Sequence, residues 1–413
     1  MISLPVCKSI SAFAFKPYSS SYGMTLSKII APQCENIEAY AFQYCSNLSS
    51  FGFTSALQHI GFRAFANCGT NIENFPFELL NTTSSIETSI FAYGTLSKLS
   101  HSTLTCIPIG AFMYCSLLAS LSLPAVKNIS SAAFMYCSNI SSINLPECLT
   151  IQDQAFAYCK DITYLSLPKC TSIASTAFIG CNFAATTIDA LWTLYPNMQF
   201  ASGNYTTLTL SCTAIPDYAF ASCTSLTSIN LPNVTHIGSY AFGNCTQLSS
   251  IDIPNLTTIA DNAFYSCKSI NNNFSWSIIE QCTEVGAGIF GRCTNLTSIN
   301  YEFTQLYPEM FYSCANLTFI NLTSCSIIGA SALYHTAISA INTSAVQSIG
   351  SFAFDSCSNL TTISCINCTT LGSYAFRNCS NLTTINLPNV SEFNGGTFIS
   401  CSRANLTSII SIV

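Results

Sequence analysis

The sequence predicts a curved solenoid of about 18 stacked repeats, with a concave parallel β-sheet and short extended and helical-turn segments on the other faces. Three observations predict it. The fragment Ala-Phe-x-x-Cys recurs about every 22 residues, its phenylalanine standing at Phe42, Phe65, Phe112, Phe134, Phe156, Phe178, Phe220, Phe242, Phe264, Phe354 and Phe376. Weaker copies keep phase at Phe15, Phe91, Phe200, Phe290, Phe311, Leu333 and Phe398, so units spaced 20 to 27 residues apart cover all 413 residues. Each regular unit also carries an alternating apolar–polar run closed by proline. Units this short cannot bury a core alone, so the period implies stacking on neighbours. Residues 1–413 are expected to form one solenoid domain, with irregular repeats near 66–91, 179–220 and 265–290.

The strand comes first in each unit. Ile385-Asn386-Leu387 alternates with a period of two, as a strand with one buried face does. Pro388 ends it, because proline cannot donate to a ladder. Pro5, Pro32, Pro124, Pro146, Pro168, Pro232 and Pro254 do the same elsewhere. Next comes an extended piece around Ile60, Ile173, Ile237, Ile259 or Ile349, five residues before the phenylalanine. Gly61, Gly238, Gly329, Gly350 and Gly372 follow that column, which suits a turn with an unusual backbone angle. The Ser-Tyr-Ala-Phe-x-x-Cys piece is too short for a helix and reads as one helical turn. A regular parallel β-helix is the competing architecture. The bulky turn face opposite a slim strand face favours the curved form.

The 24 cysteines follow the same period. Fourteen sit three residues after the phenylalanine, from Cys45 to Cys401. Eight sit eight residues before it: Cys7, Cys34, Cys148, Cys170, Cys212, Cys282, Cys325 and Cys368. Val126, Val234, Leu256, Val346 and Val390 fill that second column elsewhere, so both columns read as apolar core, where free cysteine acts as a small hydrophobe. Cys365 takes a buried strand position, and Cys106 alone falls off the pattern. Stacked thiols would lie near the strand spacing of ~5 Å, but parallel side chains do not point at one another, which disfavours bridging. A zinc site is not expected. The histidines are His59, His101, His236 and His335, and the Cys365–Cys368 pair has no matching second pair.

Composition excludes several functions. Only 7 % of residues are charged, against roughly 25 % in an average domain. The net charge is −6 and no basic stripe occurs, so nucleic-acid binding is not expected. No apolar run approaches the ~20 residues that span a bilayer, so membrane insertion is not expected either. Met1-Ile-Ser-Leu-Pro5 lacks the basic start of a signal peptide, which makes a cytoplasmic location the alternative to a surface one. The chain opens in mid-repeat and closes on Leu406-Thr-Ser-Ile409 inside another, without capping units, so end-to-end self-association through open strand edges is expected. No nucleophile with a histidine and acid, and no phosphate-binding loop, is legible. Neither catalytic residues nor a cofactor are expected. Nineteen Asn-x-Ser/Thr sequons follow largely from the repeat consensus.

A protein ligand is the expected partner, and the residues facing out of the strands are its candidates. Asn144, Tyr164, Asn230, Asp252, Asn300, Phe319, Asn321 and Asn386 alternate with the buried Ile and Leu. The competing reading is a solvated ladder whose amides bond one another. Aromatic residues dominate many contact surfaces, which singles out Tyr164 and Phe319. Trp192 and Trp276 lie in irregular repeats, whose insertions often loop out on the binding face. Trp276 joins the candidates. Both tryptophans could instead pack into the core.

One unit runs through Leu226, Ile229, Leu231, Pro232, Val234, Ile237, Ala241, Phe242 and Cys245. This pattern resembles the BspA-like leucine-rich repeat family, and the resemblance extends along the whole chain. It implies a right-handed leucine-rich repeat solenoid with a concave sheet, in surface proteins of bacteria and parasitic protists that adhere to host proteins. It implies no catalytic residues. The chain departs from the pattern at Trp192 to Gly203 and in the longer units ending at Phe91 and Phe290. Adhesion at a cell surface is therefore the first expectation. An intracellular interaction scaffold suits the many thiols, since unpaired cysteines favour a reducing compartment. Self-assembly through the chain ends is the third.

Overall fold

A computed structural model describes residues 1–17, 25–69, 72 and 74–401. They fall into two compact units, Met1–Gly203 and Asn204–Val413. Leu406–Ile409 and the rest of the closing segment lie outside the described residues.

Both units are β-solenoids of parallel strands with little helix, about 16 turns in all. Each regular turn contributes two strands to two ladders. In the N-terminal unit Ser142–Asn144 pairs with Tyr164–Ser166, Ile143 opposite Leu165. The shorter strands Cys106–Ile107, Asn128–Ile129, Thr150–Ile151 and Ser172–Ile173 form the second ladder. In the C-terminal unit Thr207–Thr209, Ser228–Asn230 and Ser250–Asp252 form one long-strand sheet. Ala340–Asn342, Thr362–Ser364 and Thr384–Asn386 form another. Every register step equals one repeat, so identical side chains stack. A slip of one residue would turn each buried isoleucine outward, and that penalty holds the register.

The third face differs from the expected helical turn. Ala133, Met135 and Cys137 close successive i to i+3 turns onto Ser130, Ala132 and Phe134. The residues between them, Ala132, Phe134 and Tyr136, donate instead to Asp153, Ala155 and Ala157 of the next repeat. Ala132 (φ 55°) and Tyr136 (φ 62°) are left-handed, and the same two columns recur as Tyr218 (φ 57°) and Ser222 (φ 60°). Left-handed L-residues cannot propagate a helix and cost roughly 1–2 kcal/mol each. The bonds to the next repeat hold them there. The result is a chain of β-turns that doubles as a third ladder.

The turns aim their phenylalanines inward, where they stack in runs within each unit. Phe134 and Phe156 lie 5.2 Å apart at 11°, Phe156 and Phe178 5.5 Å apart at 6°, and Phe242 and Phe264 5.4 Å apart at 7°. The stacked rings are fully buried. The glycine column has a different cause from the one expected. Gly238 is not left-handed. A Cβ there would lie 2.5 Å from the Asp217 nitrogen of the preceding turn, so close backbone approach excludes a side chain. The same holds at Gly350 against Ala330.

The 24 cysteines are free thiols, most of them buried. They are more than small hydrophobes. Cys137 Sγ donates to Phe112 O at 3.1 Å, Cys159 to Phe134 O at 3.1 Å, and Cys267 to Phe242 O at 3.1 Å. Each carbonyl also accepts the N–H of its own repeat's cysteine, as Phe134 O does from Cys137. The thiol therefore ties consecutive turns together inside the core. Burial pushes the Cys115 and Cys245 thiols up to about 12, which keeps them protonated as donors.

Candidate partner-binding face

The long strands leave one row of side chains facing away from the core. Asn144, Asn230, Asp252, Asn300 and Asn386 are exposed, as expected. Tyr164 is 57 % exposed and Phe319 50 %. Tyr164 stands opposite Ser142, and Phe319 opposite Ser298, so each aromatic ring rises beside a small hydroxyl. In the C-terminal unit Asn230 is aligned with Asp252, and Ser364 with Asn386. The candidates divide between the two units. Asn144 and Tyr164 belong to the first, and the remainder to the second.

Two candidates are occupied within the fold. Asn321 is half-buried, and its Oδ1 accepts the Thr323 N–H at 3.0 Å and also the Thr323 hydroxyl. Asn386 Nδ2 donates to Ser364 Oγ at 3.0 Å, a bond along the ladder.

Trp276 is no part of the face. It is 5 % exposed and packs against Phe274, Phe290, Phe303 and Phe311, with centroids 4.8 to 5.9 Å away. The extra length of its repeat is consumed by an apolar plug, because an indole gains more by burial than by looping out. Trp192 is buried too, with Nε1 donating to Met198 O at 2.8 Å.

Asn342 faces outward in the same strand row, as the alternation predicts, and is exposed. It opens onto a cleft of about 310 Å³ lined by Thr323, Asn342, Thr343, Ser344, Ser364 and Ile366. Regular units close this corner with proline. Thr323, Ser344 and Ile366 take the proline place in three successive units, and the cleft forms along them. That substitution is visible in the sequence. The walls are held firmly: Thr343 Oγ1 donates to Leu322 O at 3.0 Å, and Asn367 Nδ2 to Ser344 O at 2.8 Å. The exposed Asn342 amide is left free to donate and accept. The cleft can thus recognise polar, uncharged groups such as peptide amides and hydroxyls.

Among the described residues, no group of three or more His, Cys, Asp or Glu is placed to hold a metal ion. Among the same residues, no helix is long and apolar enough to cross a membrane.

The family described as BspA type leucine rich repeat region (6 copies) matches residues 8–126, 84–206, 213–336 and 283–405. No curated protein matches the chain significantly. Solved structures similar to it include a leucine-rich repeat protein from Bacteroides ovatus, 20 % identical, covering 93 % of this chain and 86 % of that one, with a TM-score of 0.43. A leucine rich cell surface protein from Faecalibacterium prausnitzii is 18 % identical over 95 % of this chain and 88 % of that one, with a TM-score of 0.29. The pneumococcal vaccine antigen PcpA is 15 % identical over 95 % and 89 %, with a TM-score of 0.36. Family matches over nearly the whole length, together with the parallel ladders and the Phe–Cys turn column, show that the chain belongs to the BspA-type leucine-rich repeat family.

Proposed function

We propose that this chain is a non-enzymatic protein-binding solenoid, an adhesion module displayed at a cell surface that contacts host or extracellular proteins through its strand face. One observation carries the reading. The strand face of each unit is exposed, rich in hydrogen-bonding groups and nearly uncharged, with Tyr164 standing out of the N-terminal one, and Phe319 out of the C-terminal one, where Asn342 opens onto a cleft. Contact surfaces gain most of their energy from a few aromatic anchors ringed by polar groups. Membership of a family known for surface adhesion supports the same direction. The test is binding of the purified chain to immobilised extracellular proteins, read by interferometry. Phe319→Ala, Tyr164→Ala and Asn342→Ala should weaken a positive interaction roughly tenfold or more for the dominant anchor. Lys160→Ala, on an exposed turn, should leave it unchanged. Equal losses at Lys160 and Phe319 would sink the strand face as the contact.

The second reading is an intracellular interaction scaffold, favoured by the 24 unbridged thiols. Surface labelling of intact cells with an impermeant reagent separates the two.

A further inference from the structure

Cys148 and Cys170 occupy one column in adjacent turns of the N-terminal unit. The short strands after them pair Thr150 with Ser172 and Ile151 with Ile173. Parallel partners lie about 4.8 Å apart, inside the Cα range of about 4.4–6.8 Å that a disulfide accepts. Cys148 is buried and Cys170 half-exposed. Cys170 Sγ lies 3.5 Å from Leu149 O, the residue next to Cys148, so the thiol reaches into the preceding turn. Tyr195 lies across the pair, its hydroxyl donating to Cys170 O at 2.8 Å. Cys148 and Cys170 each also donate to a carbonyl two residues on in their own turn, Thr150 O and Ser172 O at 3.5 Å, as Cys7 and Cys34 do to Ser9 O at 3.2 Å and Asn36 O at 3.3 Å; Cys170 adds the contact with Leu149 O.

We propose that Cys148 and Cys170 are a redox-active dithiol that closes to an inter-turn disulfide on reaction with a hydroperoxide. Cys170 is the attacking thiol, because it is accessible and Cys148 is not. The neighbouring Cys148 thiol brings Cys170 down to about 7, whereas Cys148 is raised by Cys170 and by burial. The Cys170 thiolate attacks the distal oxygen of the hydroperoxide. An S–O bond forms, the O–O bond breaks, and the alkoxide leaves as an alcohol after protonation. Cys148 sulfur then attacks Cys170 sulfur. The S–S bond forms, the S–O bond breaks, and hydroxide departs as water with the Cys148 proton. Two thiols lose two electrons and the peroxide gains them.

The full chain, fully reduced, is treated with hydrogen peroxide, alkylated and digested for mass spectrometry. A Cys148–Cys170 link should accumulate first, roughly tenfold faster than oxidation at half-exposed Cys212, since rate follows thiolate content and access. Its rate should rise with pH and level off above about pH 7. Valine occupies the same column at Val126 and Val234, so Cys170→Val and Cys148→Val keep the fold testable. Cys170→Val should abolish the link. Cys148→Val should leave a sulfenic acid on Cys170 that dimedone traps. Oxidation without preference, earlier linkage of Cys7 to Cys34, or a Cys170 sulfenic acid that persists beside intact Cys148 would each overturn the proposal.

Discussion

Two irregular repeats that bear an α-helix, one in each unit, absorb their extra residues in opposite ways. In the N-terminal unit α1 (Ala185–Leu194) stands where the next long strand would be, so Tyr164–Ser166 has a strand partner on one side only. Ile143 and Leu145 are fully buried, but their equivalents Leu165 and Leu167 are only half-covered. A notch of about 160 Å³ remains between these leucines and Leu191, Leu194 and Tyr195. In the C-terminal unit the short α2 (Ser277–Glu280) follows Trp276, whose ring plugs the gap among four phenylalanines. The broken ladder is repaired there as well. Asn272 Oδ1 accepts the Thr297 and Ser298 N–H groups at 3.2 and 3.1 Å, the role that Ser27 O plays for Ser49 and Ser50 in a regular turn. The C-terminal insertion is closed by an aromatic plug together with an amide cap. The N-terminal one buries Trp192 against Phe200 but leaves the notch beside Leu165 and Leu167 partly open.

The largest effects test the plug against the regular stack. Trp276→Ala and Phe242→Ala should each cost about 3–5 kcal/mol, the usual range for deleting a buried aromatic ring. Repeats contact only their neighbours, so hydrogen exchange should rise first near residues 264–311 in the one and 220–264 in the other. A uniform rise along the chain would contradict the stacked architecture. If Trp276→Ala were harmless, the plug would not be what closes the C-terminal insertion.

The amide cap should be worth less. Asn272→Ala leaves two N–H groups without their acceptor at an exposed corner, where water can replace it, so about 1 kcal/mol is expected. Urea unfolding of Asn272→Ala and Asn272→Asp measures it, because aspartate keeps the acceptor. Equal losses in both variants would assign the effect to something other than the two N–H bonds.

The contrast also marks how far the sequence could be read. The Phe–Cys period foretold the phenylalanine stack and the thiol columns, because every register step equals one repeat and the same residue must meet itself. It did not foretell what each column does. Tyr136 looks like part of a helical turn, yet it is left-handed and donates to the next repeat. Glycine at Gly238 reads as conformational freedom, but the cause lies in the backbone of Asp217, in the preceding turn. Trp276 was legible as irregular, not as buried, since strand alternation has no phase inside an insertion. The cleft at Asn342 follows from a missing proline in three successive units. An absence in a repeat is harder to weigh than a presence.

The smallest expected effect bears on the open insertion. Leu194 is 71 % exposed at the end of α1, whereas Leu191, one turn earlier, is buried. Leu191→Ala should therefore cost about 2–5 kcal/mol, and Leu194→Ala within about 0.5 kcal/mol of nothing. Paired chemical denaturation of the two variants makes the comparison. Exposed leucine beside an incompletely covered strand lends the fold almost nothing, so its removal isolates whatever the notch does apart from stability. If Leu194→Ala proves as damaging as Leu191→Ala, the helix end is packed more tightly than its exposure shows, and the N-terminal insertion is closed after all.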